Sequence, residues 1–136
     1  MQRVLFILLT SAYCFSQQTI VELNKAPESD FILDGIISEP EIDNAKTIDI
    51  VYEHEPGYNT APSYETKTYL KYTDTYLYIG FRAYRDEVKA DIHPRDNFSL
   101  FEDDFANIHL DTYGDARNNI GLTANLFGSQ ADGIRI

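Results

Sequence analysis

Tryptophan is absent from this chain and cysteine occurs once, at Cys14. Without indoles, its large flat side chains are ten tyrosines and eight phenylalanines. Cys14 lies in the N-terminal stretch. Beyond it, disulfides, thiolate metal sites and cysteine nucleophiles are excluded. Cations are scarce as well, with 11 Lys and Arg against 22 Asp and Glu and a formal net charge of -11. Such a surface repels phosphate backbones, so nucleic acid is not an expected partner. It suits neutral ligands and divalent cations. No apolar run approaches the ~20 residues that cross a bilayer as a helix.

The longest apolar run, Val4 to Leu9, follows Arg3 and gives way to smaller and more polar residues through Ser16. This is the pattern of a secretory signal peptide over 1–16. Cleavage before Gln17 places Cys14 and Ser16 at the −3 and −1 positions, and a lipidated Cys14 is the rival processing. The expected location is therefore the periplasm, the outer membrane or the extracellular space. Residues 17–29 read as an extended lead segment.

Thr66 to Tyr84 carries the strongest structural signal. Branched and aromatic residues fill two arms around a polar turn at Thr73-Asp74-Thr75, the pattern of a β-hairpin. Strand side chains alternate, so Leu77, Ile79, Phe81 and Ala83 share one face and Tyr78, Gly80, Arg82 and Tyr84 the other. Phe31 to Ile37 reads as a strand broken at Asp34-Gly35, and Glu39 to Ala45 as one helical turn capped by Ser38. Further strands are expected at Ile48–Tyr52, Phe105–Leu110 and Ile120–Phe127. Loops are expected over His54–Ser63 and Asp86–Leu100. Gly128 to Gly133 reads as a turn, with a strand beginning at Ile134. Short strands without a sustained helical period predict an all-β fold, an antiparallel, jelly-roll-like β-sandwich over 30–136. A sequence that stops as a strand begins predicts that this sandwich is incomplete.

Familiar catalytic signatures are missing. There is no phosphate-binding glycine loop, His54-Glu55 lacks the second histidine of a zinc protease helix, and Ser129 lacks a nucleophile elbow. A glycosidase pair of carboxyls carries no weight among 22 acids, because some pair always falls ~5–9.5 Å apart. Three other features stand out. Asp103, Asp104 and Asp111 flank the strand Phe105–Leu110 and could offer oxygen ligands to structural calcium, although no calcium-loop spacing is present and a solvated acidic loop is the plainer alternative. Tyr78 and Tyr84 could form a stacking platform. Arg82, Asn107, His109 and Asn125 would be hydrogen-bonding partners beside it, if the strands bring them onto one face.

The series Leu33-Asp34-Gly35-Ile36-Ile37-Ser38-Glu39-Pro40-Glu41, then Thr75 to Tyr84, then Asp103-Asp104 with Ile108-His109-Leu110-Asp111, resembles a family 9 carbohydrate-binding module. It is most similar to the version at the N-terminus of long outer-membrane β-barrel proteins, and Asn125 to Gly133 resembles that subgroup too. The resemblance covers about residues 30–136. It implies a secreted β-sandwich that binds sugar units, often with structural calcium. The better-known modules grip a sugar between two tryptophans, a place that Tyr58, Tyr64, Tyr78 or Tyr84 would take here.

Three function classes follow. The first is a non-catalytic module binding a polysaccharide or oligosaccharide. The second is the N-terminal part of a glycoside hydrolase, with hydrolysis of O-glycosyl bonds carried out elsewhere in the protein. The third is a sugar-independent structural domain of an outer-membrane barrel protein.

Overall fold

A computed structural model of the chain describes residues 20–55 and 57–135. The expected signal peptide, with Cys14 and the cleavage point before Gln17, lies outside them. The alternating segment from Thr66 forms the hairpin its pattern predicts, with β3 (Thr66–Tyr72) and β4 (Leu77–Ala83) antiparallel. Thr73 sets the turn, its hydroxyl oxygen accepting from the backbone N–H groups of Thr75 at 3.2 Å and Tyr76 at 3.0 Å. On the other edge of β3 lie the short parallel β1 (Asn24–Lys25) and the antiparallel β2 (Lys46–Asp49). A second, antiparallel sheet runs β5 (Phe105–Leu110), β6 (Asn119–Asn125) and β7 (Gln130–Arg135).

The architecture is all-β and sandwich-like. Ile79 and Phe81 of β4 and Ala106, Ile108, Leu122 and Ala124 of the second sheet line one cleft of about 310 Å³. Burial here is thin. Among the described apolar residues only Ala26 and Leu100 are buried, Phe81 and Leu110 are half-buried, and Ile120 and Leu122 keep contact with water. Leu100 has no exposed surface at all. It sits in a 3-10 helix, Phe98–Glu102, that lies against β7 and is capped by Asn97, whose side chain accepts from Ser99 N–H at 2.9 Å.

Two expectations need correction. Phe31 to Ile37 is not a strand. Asp34 Oδ1 takes the Ile36 N–H at 2.8 Å and Gly35 has φ 83°, so the backbone turns locally. The segment lies as a belt across the outer face of the first sheet. Phe31 stacks on Tyr78 with ring centroids 3.5 Å apart, and Ile37 Cδ1 lies 3.0 Å from where a β-carbon on Gly80 would sit. Arg82 Nη2 donates to the Ile37 carbonyl at 2.6 Å, and Lys71 Nζ donates to the Pro40 carbonyl at 3.0 Å. The belt ends in α1 (Glu39–Ile42), where Glu41 accepts from the Ser38 N–H at 2.6 Å and its hydroxyl at 2.7 Å, the cap that Ser38 predicts.

The second correction is β7, which begins at Gln130 while the turn is confined to Asn125–Ser129. Polar composition conceals this strand, but neighbours complete its ladder. β6 pairs with one edge, and on the other Asp96 imitates a strand partner. Its N–H donates to the Gln130 carbonyl at 2.9 Å and its Oδ1 accepts from Asp132 N–H at 3.1 Å. Arg95 adds bonds to the Gln130 and Asp132 side chains. This contact shields part of an edge that would otherwise template pairing.

Candidate functional site

Alternation fixes what can share a surface. Since Ile79 and Phe81 face the same cleft as Ala106 and Ile108, the side chains of Tyr78 and Arg82 point to one outer surface and those of Asn107 and His109 to the opposite one. The six residues expected to hold a sugar are thus not brought together. Tyr78 and Arg82 are covered by the belt and engaged by Phe31 and Ile37. Burial under that belt pushes the Tyr78 phenol up from its ordinary range. Asn107 Nδ2 bonds the Thr123 hydroxyl, while His109 stays exposed with Nδ1 2.9 Å from Asn119 Oδ1. Tyr84 is open to water, 48% exposed.

Asn125 is buried and makes a structural knot. Its Nδ2 donates to the Asp91 carbonyl at 2.7 Å and to Asp103 Oδ2 at 2.8 Å, and its Oδ1 accepts the N–H groups of Phe127 and Ser129, both at 3.0 Å. Asp103, its side chain 3% exposed, also accepts from Asp91 N–H at 3.1 Å and lies 2.9 Å from His93 Nε2. Ser129 Oγ accepts from the His93 backbone N–H at 2.8 Å, so the serine, histidine and aspartate form no nucleophile relay.

The donor set does not fit a shared calcium site. Asp103 belongs to the knot. Asp104 accepts from Arg85 Nη1 and Lys89 N–H, both at 2.7 Å. Asp111 folds its own loop, its carboxylate taking the N–H groups of Gly114 at 2.7 Å and Ala116 at 2.8 Å. Among the described residues no three carboxylate or imidazole groups converge on a point that could hold a metal ion.

The knot carries a pH prediction. The Asp91 N–H, then the Asn125 amide and His93, hold the Asp103 carboxyl below its ordinary value of 3.8. A folded pKa below the unfolded one stabilises the fold above that ordinary value, and the contribution disappears as pH falls through the depressed value. Thermal melts from about pH 7 down to about pH 3 should therefore show a loss of stability confined to the acid end. Asp103→Asn should be less stable at neutral pH and should flatten part of the acid slope. An acid slope unchanged in Asp103→Asn would show that other carboxyls cause it.

At the open end of the β3–β4 hairpin two further rings are exposed. Tyr84 N–H donates to the Glu65 carbonyl at 2.8 Å, which carries the β3–β4 register one step further, so that Tyr84 stands opposite Glu65 on one face and Tyr64 opposite Arg85 on the other. Both phenols are about half exposed, Tyr64 at 50%. The Arg85 guanidinium lies 4.8 Å from the Tyr64 ring centre and the Lys67 ammonium 6.0 Å from that of Tyr84. Asp104 fixes Arg85 and Glu65 pairs with Lys67 at 2.8 Å. The result is one exposed ring on each face of the hairpin end, each with a cation beside it that is paired to a carboxylate.

Next to it the loop after β2 closes into a miniature hairpin. Glu53 and Thr60 exchange backbone bonds at 2.9 Å and 3.2 Å, and Glu53 Oε2 accepts from Ser63 N–H at 2.8 Å, tying this hairpin to the residue before Tyr64. Its tip has Tyr58 at φ 54° and Asn59 at φ 57°. Asn tolerates the left-handed region, whereas a bulky residue there costs roughly 1–2 kcal/mol. The Tyr58 side chain is nevertheless 80% exposed, its nearest ring being His54 at 5.9 Å.

Sequence reading named Tyr64 and Tyr58 only as stand-ins for tryptophan and missed Arg85. The signal lay in the Tyr-Arg dipeptide that follows β4, where alternation places successive residues on different sides. Comparisons with protein-family models, with curated proteins and with solved structures find no match. Among the described residues no helix is long and apolar enough to cross a membrane.

Proposed function

We propose that this chain is a non-catalytic carbohydrate-binding module of the family 9 type, exported and working as part of a carbohydrate-active or outer-membrane protein. The observation that carries this reading is the exposed ring on each face of the open hairpin end, Tyr84 with Lys67 beside it and Tyr64 with Arg85 beside it. Flat rings match the C–H faces of sugars, and the cation beside each ring serves their hydroxyls. The surplus of carboxylates over the whole chain disfavours acidic polysaccharides, so the ligand class is a neutral glycan. Asp103, Asp104, Asp111 and Glu53 are occupied by hydrogen-bond donors, which supports a binding role over acid–base chemistry.

The test is retardation of the full chain in native gels containing xylan, mixed-linkage β-glucan, mannan or pullulan. At least one should slow the wild type. Tyr64→Ala and Tyr84→Ala should each weaken that binding about tenfold, and surface truncations of this kind change stability by under ~0.5 kcal/mol. If none of the four glycans retards the protein, or if both variants are retarded like wild type, the sugar-independent structural role takes its place.

A further inference from the structure

Tyr58 is held in a backbone conformation that disfavours large side chains, yet its ring is not packed onto the protein. Burial therefore does not offset the strain. The turn is tightly closed at its neighbour, where a β-carbon on Gly57 would run into the Thr60 and Glu53 side chains. Exposed strain of this kind is characteristic of positions that serve a contact outside the chain. The imidazole of His54 stands beside the phenol, and the Tyr58 N–H donates to the His54 carbonyl at 2.8 Å, so the two side chains are presented together. The Glu53 carboxylate, bonded to the Ser63 N–H, locks this presentation to the segment that carries Tyr64.

Building on the carbohydrate reading above, we propose that Tyr58 and His54 form a second sugar subsite, separate from Tyr64 and Tyr84, so that the ligand is a chain of neutral sugars and not a single ring. Tyr58 stacks on one residue of the glycan and His54 hydrogen-bonds one of its hydroxyls. Glu53 is a positioning residue that keeps the two subsites in register.

Titration calorimetry on the full chain tests this, using oligomers of one to six sugar units cut from whichever of the four glycans retards the wild type. Wild-type affinity should rise with oligomer length. Tyr58→Gly should lose about tenfold for the longest oligomer and nothing for the shortest, while its melting temperature stays level or rises, because glycine accepts the left-handed backbone. Tyr58→Phe should keep most of the length dependence. A length dependence unchanged in Tyr58→Gly, or a marked drop in its melting temperature, overturns the second subsite while leaving Tyr64 and Tyr84 standing. Failure of the wild type to bind any of the four glycans removes the carbohydrate reading itself, and the subsite with it.

Discussion

Asn125→Ala is expected to destabilise the fold by about 3 kcal/mol, lowering the urea midpoint by at least about 1 M. The side chain is 8% exposed and holds four partners from three parts of the chain: Asp91, Asp103 and the turn at Phe127 and Ser129. Truncation leaves the Phe127 and Ser129 N–H groups without their acceptor in a place water reaches poorly, and takes one donor each from the Asp91 carbonyl and the Asp103 carboxylate. Each such orphan costs about 1–3 kcal/mol, although the turn can relax to recover some of it. Asn125→Asp is a sharper probe. It keeps the acceptor but sets a second carboxylate against Asp103, so its defect should shrink as pH falls toward the carboxylate range. Equilibrium urea unfolding of both variants at neutral and mildly acid pH reads the effect. A midpoint within error of wild type would mean that the turn holds without its central amide.

Leu100→Ala should be of similar size, about 2–5 kcal/mol. Leu100 is the one large apolar side chain among the described residues with no exposed surface. Where the rest of the apolar surface is half-open, a single well-buried leucine carries a large share of the packing. Its side chain also anchors the 3-10 helix that leads to Asp103, whose N–H donates to the Leu100 carbonyl at 3.2 Å, a backbone bond that survives the truncation. Leu100→Met, close in volume, should cost under about 1.5 kcal/mol. Thermal unfolding of the pair separates lost volume from changed shape. Equal melting temperatures for Leu100→Ala and wild type would show that the 3-10 helix packs without it.

Most strands were legible because alternation is a local property. The hairpin from Thr66, the strand Phe105–Leu110 and the Ser38 cap needed only neighbours in sequence to declare themselves. The belt and β7 needed partners far away. Ile32, Leu33, Ile36 and Ile37 read as a strand by composition, yet no β-edge is offered to them, and the carbonyl of Ile37 goes to an arginine 45 residues on. Gln130 to Gly133 reads as a turn until β6 and Asp96 take its backbone groups. The dispersal of the six expected site residues was illegible for the same reason. Parity correctly put Tyr78 and Arg82 on one face of β4, but parity does not say whether the chain later covers that face. Asn125 looked like a ligand contact because buried and exposed amides are identical in sequence.

The belt also sets an order of events. Residues 31–42 are synthesised well before the surface that receives them, since Lys71, Tyr78 and Arg82 follow by as many as 45 positions. At ordinary elongation rates that is a wait on the order of a few seconds. The hairpin β3–β4, closed by a tight local turn, forms far faster once its residues are available. Assembly therefore runs backwards along the chain, the later hairpin serving as the template onto which the earlier belt docks. During the interval Phe31 and Ile37 lack the surface they later cover, and Ile32, Leu33 and Ile36 stay open to water even after docking, which makes this stretch the natural target for any factor that keeps the nascent protein unfolded.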